Sequence, residues 1–83
     1  MIGNDLKTIA TFAANLIVKD KIPTIRFSFG SGAYIYYVMC FDDVDYTVSL
    51  NVEKNEGHVN GNGQLKFFKF SSGVNGQVSV ELV

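Results

Sequence analysis

Hydrophobic spacing changes once in this chain, at Pro23, and that change governs what it can fold into. Ahead of Pro23, Leu6, Ile9, Ala10, Ala13, Leu16 and Ile17 recur at the spacing of one helix face. Thr8, Thr11, Asn15 and Lys19 fall mostly between them, and Phe12 lies off the centre of the apolar stripe. Asn4 or Asp5 is placed to cap the first turn, because its side-chain oxygen accepts from an amide two or three residues on. Proline cannot donate an amide and disfavours helical geometry at Ile22, so the helix is expected to end near Asp20.

After Pro23 the period is 2, the signature of strands. Ile25, Phe27 and Phe29 alternate with Arg26 and Ser28, and Gly30-Ser31-Gly32 supplies a turn. Residues 33–41 are apolar on both faces and read as a central strand. Asp42-Asp43 makes the next turn. Residues 45–53 then place Tyr46, Val48, Leu50 and Val52 inward and Asp45, Thr47, Ser49, Asn51 and Glu53 outward. Residues 54–63 hold Asn55-Glu56-Gly57, Asn60-Gly61 and Asn62-Gly63, consistent with one loop or with a hairpin carrying a short strand at His58-Val59. In residues 64–71, Leu65, Phe67, Phe68 and Phe70 do not keep one phase, which a β-bulge near Phe67-Phe68 would reconcile. Asn75-Gly76 signals a type I′ hairpin. Residues 77–83 form the last strand, with Val78, Val80 and Leu82 inward.

The expected fold is therefore α+β: one N-terminal amphipathic helix on one face of a four- to five-stranded antiparallel sheet. A meander is the default, because sequential strands usually neighbour one another. Eighty-three residues make a single domain, 1–83, and an apolar fraction of 47% against 18% charged is too rich for disorder.

Composition narrows the function. Net charge is −1, and the seven cations, Lys7, Lys19, Lys21, Arg26, Lys54, Lys66 and Lys69, are scattered rather than clustered. Nucleic-acid binding depends on clustered positive charge, so it is disfavoured. No apolar run approaches the length of a membrane span. Cys40 has no partner for an internal disulfide, and residues 1–5 do not read as a signal peptide. A reducing, cytoplasmic compartment is expected.

One helix covers one face of such a sheet, and the other face is the informative one. With Ile25, Phe27, Phe29, Tyr46, Val48, Leu50, Val78, Val80 and Leu82 under the helix, alternation turns Arg26, Ser28, Thr47, Ser49, Asn51, Gln77, Ser79 and Glu81 outward. The central strand offers either Tyr34, Tyr36, Val38 and Cys40, or Ala33, Ile35, Tyr37, Met39 and Phe41. The first set carries more polar atoms and is assigned outward. The candidate partner-binding residues are Arg26, Tyr34, Tyr36, Val38 and Phe68. Tyrosine and arginine supply contact area and hydrogen bonds at interfaces. Sheet curvature that folds these residues into a partly closed barrel accounts for them equally well.

Other constellations are weaker. Asp42, Asp43 and Asp45 form a fragment of a calcium-loop ligand set, but aspartates also favour turns by capping local amides. Cys40 and His58 are the only thiol and imidazole, and nothing in the sequence brings them together as a nucleophile and its base. One Cys and one His do not make a four-ligand zinc site. Gly57 to Gly63 lacks the dinucleotide and Walker patterns. Lys66-Phe67-Phe68-Lys69-Phe70 mixes cations and aromatics as base-stacking strands do, yet alternation splits it across two faces.

Two function classes and a third remain. The first is a small non-catalytic protein-binding module of the inhibitor, adaptor or immunity type, a build found among phage- and plasmid-encoded inhibitors. It would act through the free face or by adding its C-terminal strand to a partner sheet, with no metal or cofactor. The second is a ligand-binding or enzymatic domain whose site forms between protomers, using Tyr34, Tyr36, Arg26 and Asp45 or Glu81. The third is single-stranded nucleic-acid binding.

Overall fold

The computed structural model describes residues 2–72 and 77–83, with side chains described from Leu6 onward. Helix α1 (Ile2–Ala14) is followed by six strands, β1 (Thr24–Ser31), β2 (Tyr34–Phe41), β3 (Val44–Asn51), β4 (Glu56–Gly61), β5 (Gln64–Ser72) and β6 (Val78–Leu82). They form one antiparallel sheet in the order β1-β2-β3-β4-β5-β6, the meander expected from the short turns. Among the described residues, no helix is long and apolar enough to cross a membrane.

Both helix ends differ from expectation. The helix begins at Ile2, ahead of Asn4 and Asp5, so neither precedes it as a cap. It stops at Ala14 rather than near Asp20 because the Asn15 amide takes over the backbone. Asn15 Nδ2 donates to the Thr11 and Lys21 carbonyls, and Asn15 Oδ1 accepts from the Asp20 amide. Such side-chain bonds compete with helical continuation, and Asp20 sits at a φ of 60°.

The helix presents Leu6, Ile9, Ala10, Ala13 and Ala14, all buried, and packs chiefly on β3 and β6. Its three alanines let the backbone approach the sheet closely. Beneath them lie Tyr37, Met39 and Phe41 of β2, Tyr46, Val48 and Leu50 of β3, Val59 of β4 and Phe68 and Phe70 of β5. Burial pushes the Tyr37 hydroxyl above its usual pKa.

The sixth strand is β4, which arises from residues 54–63. Its inward positions are Gly57, Val59 and Gly61, opposite Leu50 and Phe68 at Gly57 and Gln64 at Gly61. A Cβ on Gly57 would lie 2.7 Å from Phe68 Cζ, and one on Gly61 would lie 2.8 Å from Tyr46 Cγ. These glycines make room for two core rings. They are packing residues as well as turn residues.

The β2–β3 turn is the two-residue Asp42-Asp43, with both φ values positive at 51° and 66°, as a type I′ hairpin requires. Asn62-Gly63 joins β4 to β5 with the same signs. The β1–β2 turn falls at Gly32-Ala33, one residue later than expected, since Ser31 pairs with Tyr34. Val52, expected inward, is exposed in the β3–β4 turn, where Asn51 Oδ1 accepts from the Glu53 and Lys54 amides. The Asn75-Gly76 signal lies outside the described residues.

Candidate functional site: the free face of the sheet

The largest departure from expectation is in β1. Ile25 pairs with Met39 on the helix side, but a register shift at Arg26 sets Phe27 against Val38 and Phe29 against Tyr36. The bulge inserts one residue and so turns every later side chain of the strand to the other face. Phe27 and Phe29 therefore point away from the helix and are 55% and 52% exposed. The physical reason lies in where the helix reaches. It packs on β3 to β6, so the helix-side surface at β1 offers no cover, whereas the free side offers the ring of Tyr36.

In β5 the correction runs the other way. The strand pairs without a break, and no bulge falls at Phe67-Phe68. Phe68, expected at the partner-binding face, is fully buried in the core with Phe70, while Phe67 and Leu65 point outward at 56% and 52% exposed. Uninterrupted alternation leaves no other arrangement. The central strand keeps its expected sense: Tyr37, Met39 and Phe41 are buried, and Tyr34, Tyr36, Val38 and Cys40 face away from the helix.

The free face is thus organised in rows that cross the sheet by direct register. One row runs Phe29, Tyr36, Ser49, His58, Phe67. The next, toward the β2–β3 turn, runs Phe27, Val38, Thr47, Asn60, Leu65. The row on the opposite side runs Ser31, Tyr34, Asn51, Glu56, Lys69, Glu81. Aromatic groups hold both flanks and small polar groups the middle. Ser49 is only 3% exposed, set below the side chains beside it.

On the β1–β2 flank the rings stack on one another. Phe29 and Tyr36 are 4.8 Å apart with planes 22° from parallel, and Phe27 and Tyr34 extend the stack at 6.1 and 6.0 Å. On the other flank His58 lies 5.6 Å from Phe67. Arg26 reaches toward Asp45, with Nη1 3.7 Å from Oδ1 and both side chains more than half exposed. A shallow recess of about 180 Å³ lies between Tyr34, Asn51, Glu56 and His58.

The chemistry-bearing residues do not converge. Cys40, a half-buried free thiol, belongs to a row with Thr24 and Asp45, far along the strands from His58. Strand spacing and rise put the two about 17 Å apart, beyond any proton transfer. Asp42 pairs with Lys21 and Asp45 with Arg26, so two of the three aspartates here face cations of the chain itself. Among the described residues, no three His, Cys, Asp or Glu side chains gather as a metal site.

The outward turn of Phe27, Phe29 and Phe67 is what sequence reasoning missed. No protein-family model matches the chain, and comparisons with curated proteins and with solved structures found no match.

Proposed function

We propose that this chain is a small non-catalytic protein-binding module, of the inhibitor, adaptor or immunity type, that docks through the free face of its sheet. One observation carries the reading. Phe27, Phe29, Tyr34, Leu65 and Phe67 are large, apolar and exposed on the same side of one sheet, rimmed by Arg26, Glu56, Lys69 and Glu81. Exposed apolar patches mark interaction sites, and here two of them, Phe27-Phe29-Tyr34 and Leu65-Phe67, flank a polar middle on one face. On this reading Arg26, Tyr34, Tyr36 and Val38 contribute to docking with Phe67, whereas Phe68 lies in the core.

The geometry weighs against the other classes. Stacking of bases needs free ring faces, but Phe29 and Tyr36 already cover each other, and the face carries more carboxylates than cations. On the free face itself the recess of about 180 Å³ is smaller than the ~300–1,000 Å³ typical of small-molecule sites, and the larger recesses, of about 600 and 460 Å³, lie beside the helix.

The test is a nuclease-treated capture from native lysate with wild type and Tyr36→Asp, followed by titration of the purified partner. A stoichiometric protein bound by wild type and lost with a still-folded variant supports the reading. Equal binding by both would remove the free face from the function.

A further inference from the structure

We infer that the free face is the interface of a two-fold homodimer, so that the protein it docks is a second copy of this chain. The inference rests on the docking reading above and adds the identity of the partner.

The argument is self-complementarity. In a face-to-face pair of sheets the two-fold axis lies in the interface, and here an axis parallel to the strands, midway between β3 and β4, exchanges β1 with β6, β2 with β5 and β3 with β4. Tyr36 then lies over the partner copy's Phe67, and Val38 over its Leu65. Ser49 meets His58, Thr47 meets Asn60, and Asn51 meets Glu56. Tyr34 meets Lys69, a cation against an aromatic ring. From β2 to β5 apolar groups cover apolar groups, polar groups cover polar groups, and no carboxylate opposes another; at the edges Phe29 meets Val83, Ser31 meets Glu81, and Phe27 extends past the end of β6.

Stacked sheets rotate by about 30°, which slides the outer pairings by about one row. The match survives, because the block Tyr34, Tyr36, Val38 still lies over the block Lys69, Phe67, Leu65. An axis across the strands is poorer: it would set Lys69 over Leu65 and Tyr34 over Val38.

Charge and area permit the pairing. The face carries Arg26 and Lys69 against Asp45, Glu56 and Glu81, and the whole chain has a net charge of −1, so two copies meet without appreciable repulsion. Six strands at ~4.8 Å spacing, with three rows of outward residues, give a projected footprint of roughly 500 Å². Side-chain relief raises the accessible area toward the ~800 Å² that each partner gives to a stable interface.

The experiment is sedimentation of the full chain from low to high micromolar concentration, for wild type, Phe67→Ser and Tyr36→Asp, with circular dichroism as the folding control. Wild type is expected at twice the chain mass. Phe67→Ser should raise the dissociation constant at least about tenfold without changing the spectrum.

A wild-type monomer at every concentration, or a dimer that both substitutions leave intact, would overturn the inference. If that monomer captures another protein that Tyr36→Asp loses, docking through the face stands and only the second copy falls. If the captured protein is indifferent to Tyr36→Asp, both fall.

Discussion

Phe29 and Tyr36 sit directly opposite each other across β1 and β2, their rings 4.8 Å apart and 22° from parallel. The contact exists only because the bulge at Arg26 turned Phe29 away from the helix. It ties an edge strand that the helix does not cover to the centre of the free face. A double-mutant cycle with Phe29→Ala and Tyr36→Ala, read by urea unfolding, should return a coupling of about 0.5–1.5 kcal/mol.

Neighbouring phenylalanines in β5 should behave oppositely. Phe68→Ala leaves a cavity at a fully buried position and is expected to cost about 3–5 kcal/mol. Phe67→Ala removes a ring that is 56% exposed and should cost about 1 kcal/mol or less. Denaturant midpoints of the two variants, measured at chain concentrations where sedimentation shows monomer, check the assignment of faces.

Gly57→Ala and Gly61→Ala are each expected to destabilise by about 1–3 kcal/mol through overpacking. The added methyl meets the Ser49 carbonyl oxygen and the Phe68 ring in the first case, and the Tyr46 ring and the Asp45 carbonyl oxygen in the second. Gly30→Ala is the control: its nearest neighbour, the Tyr34 carbonyl, is 3.5 Å away, so a small effect is expected. Thermal unfolding of the three variants ranks them.

Burial raises the Tyr37 pKa above its ordinary value near 10, so the unfolded chain loses that proton first as pH rises. The folded state then holds more protons than the unfolded one, and stability falls with pH. The contribution is full below about pH 10 and is lost as pH climbs through the raised value. Unfolding free energies measured from neutral to strongly alkaline pH should show this decline, and Tyr37→Phe should make it shallower.

The helix face and the meander were legible because each rests on long periodic segments with short turns. Residues 33–41 are apolar on both faces, so polarity favoured Tyr34, Tyr36 and Val38 outward but left open the reversed strand, with Tyr37 and Met39 outward. What was not legible depended on one-residue events. Nothing in Thr24 to Ser31 marks the bulge: no glycine or proline stands at Arg26, and the alternation of Ile25, Phe27 and Phe29 looks unbroken. In β5 two adjacent phenylalanines carry no signal of which is inward, and the choice is made by register with β4, where Phe68 lies opposite Gly57. Strand β4 was legible only as one of two alternatives, a short strand at His58-Val59 or a loop, because two of its inward residues are glycines, which a linear reading takes for turns. Their purpose, space for rings from other strands, exists only in three dimensions.

The shift at Arg26 leaves the surface character of this protein hanging on chain length rather than on chemistry. Deleting that one codon would keep every aromatic residue yet rotate Phe27 and Phe29 toward the helix side, leaving Tyr34 and Tyr36 as the only rings on that flank of the free face. A lineage could thus gain or shed much of this face's adhesiveness in one frame-preserving step, with an almost unchanged composition.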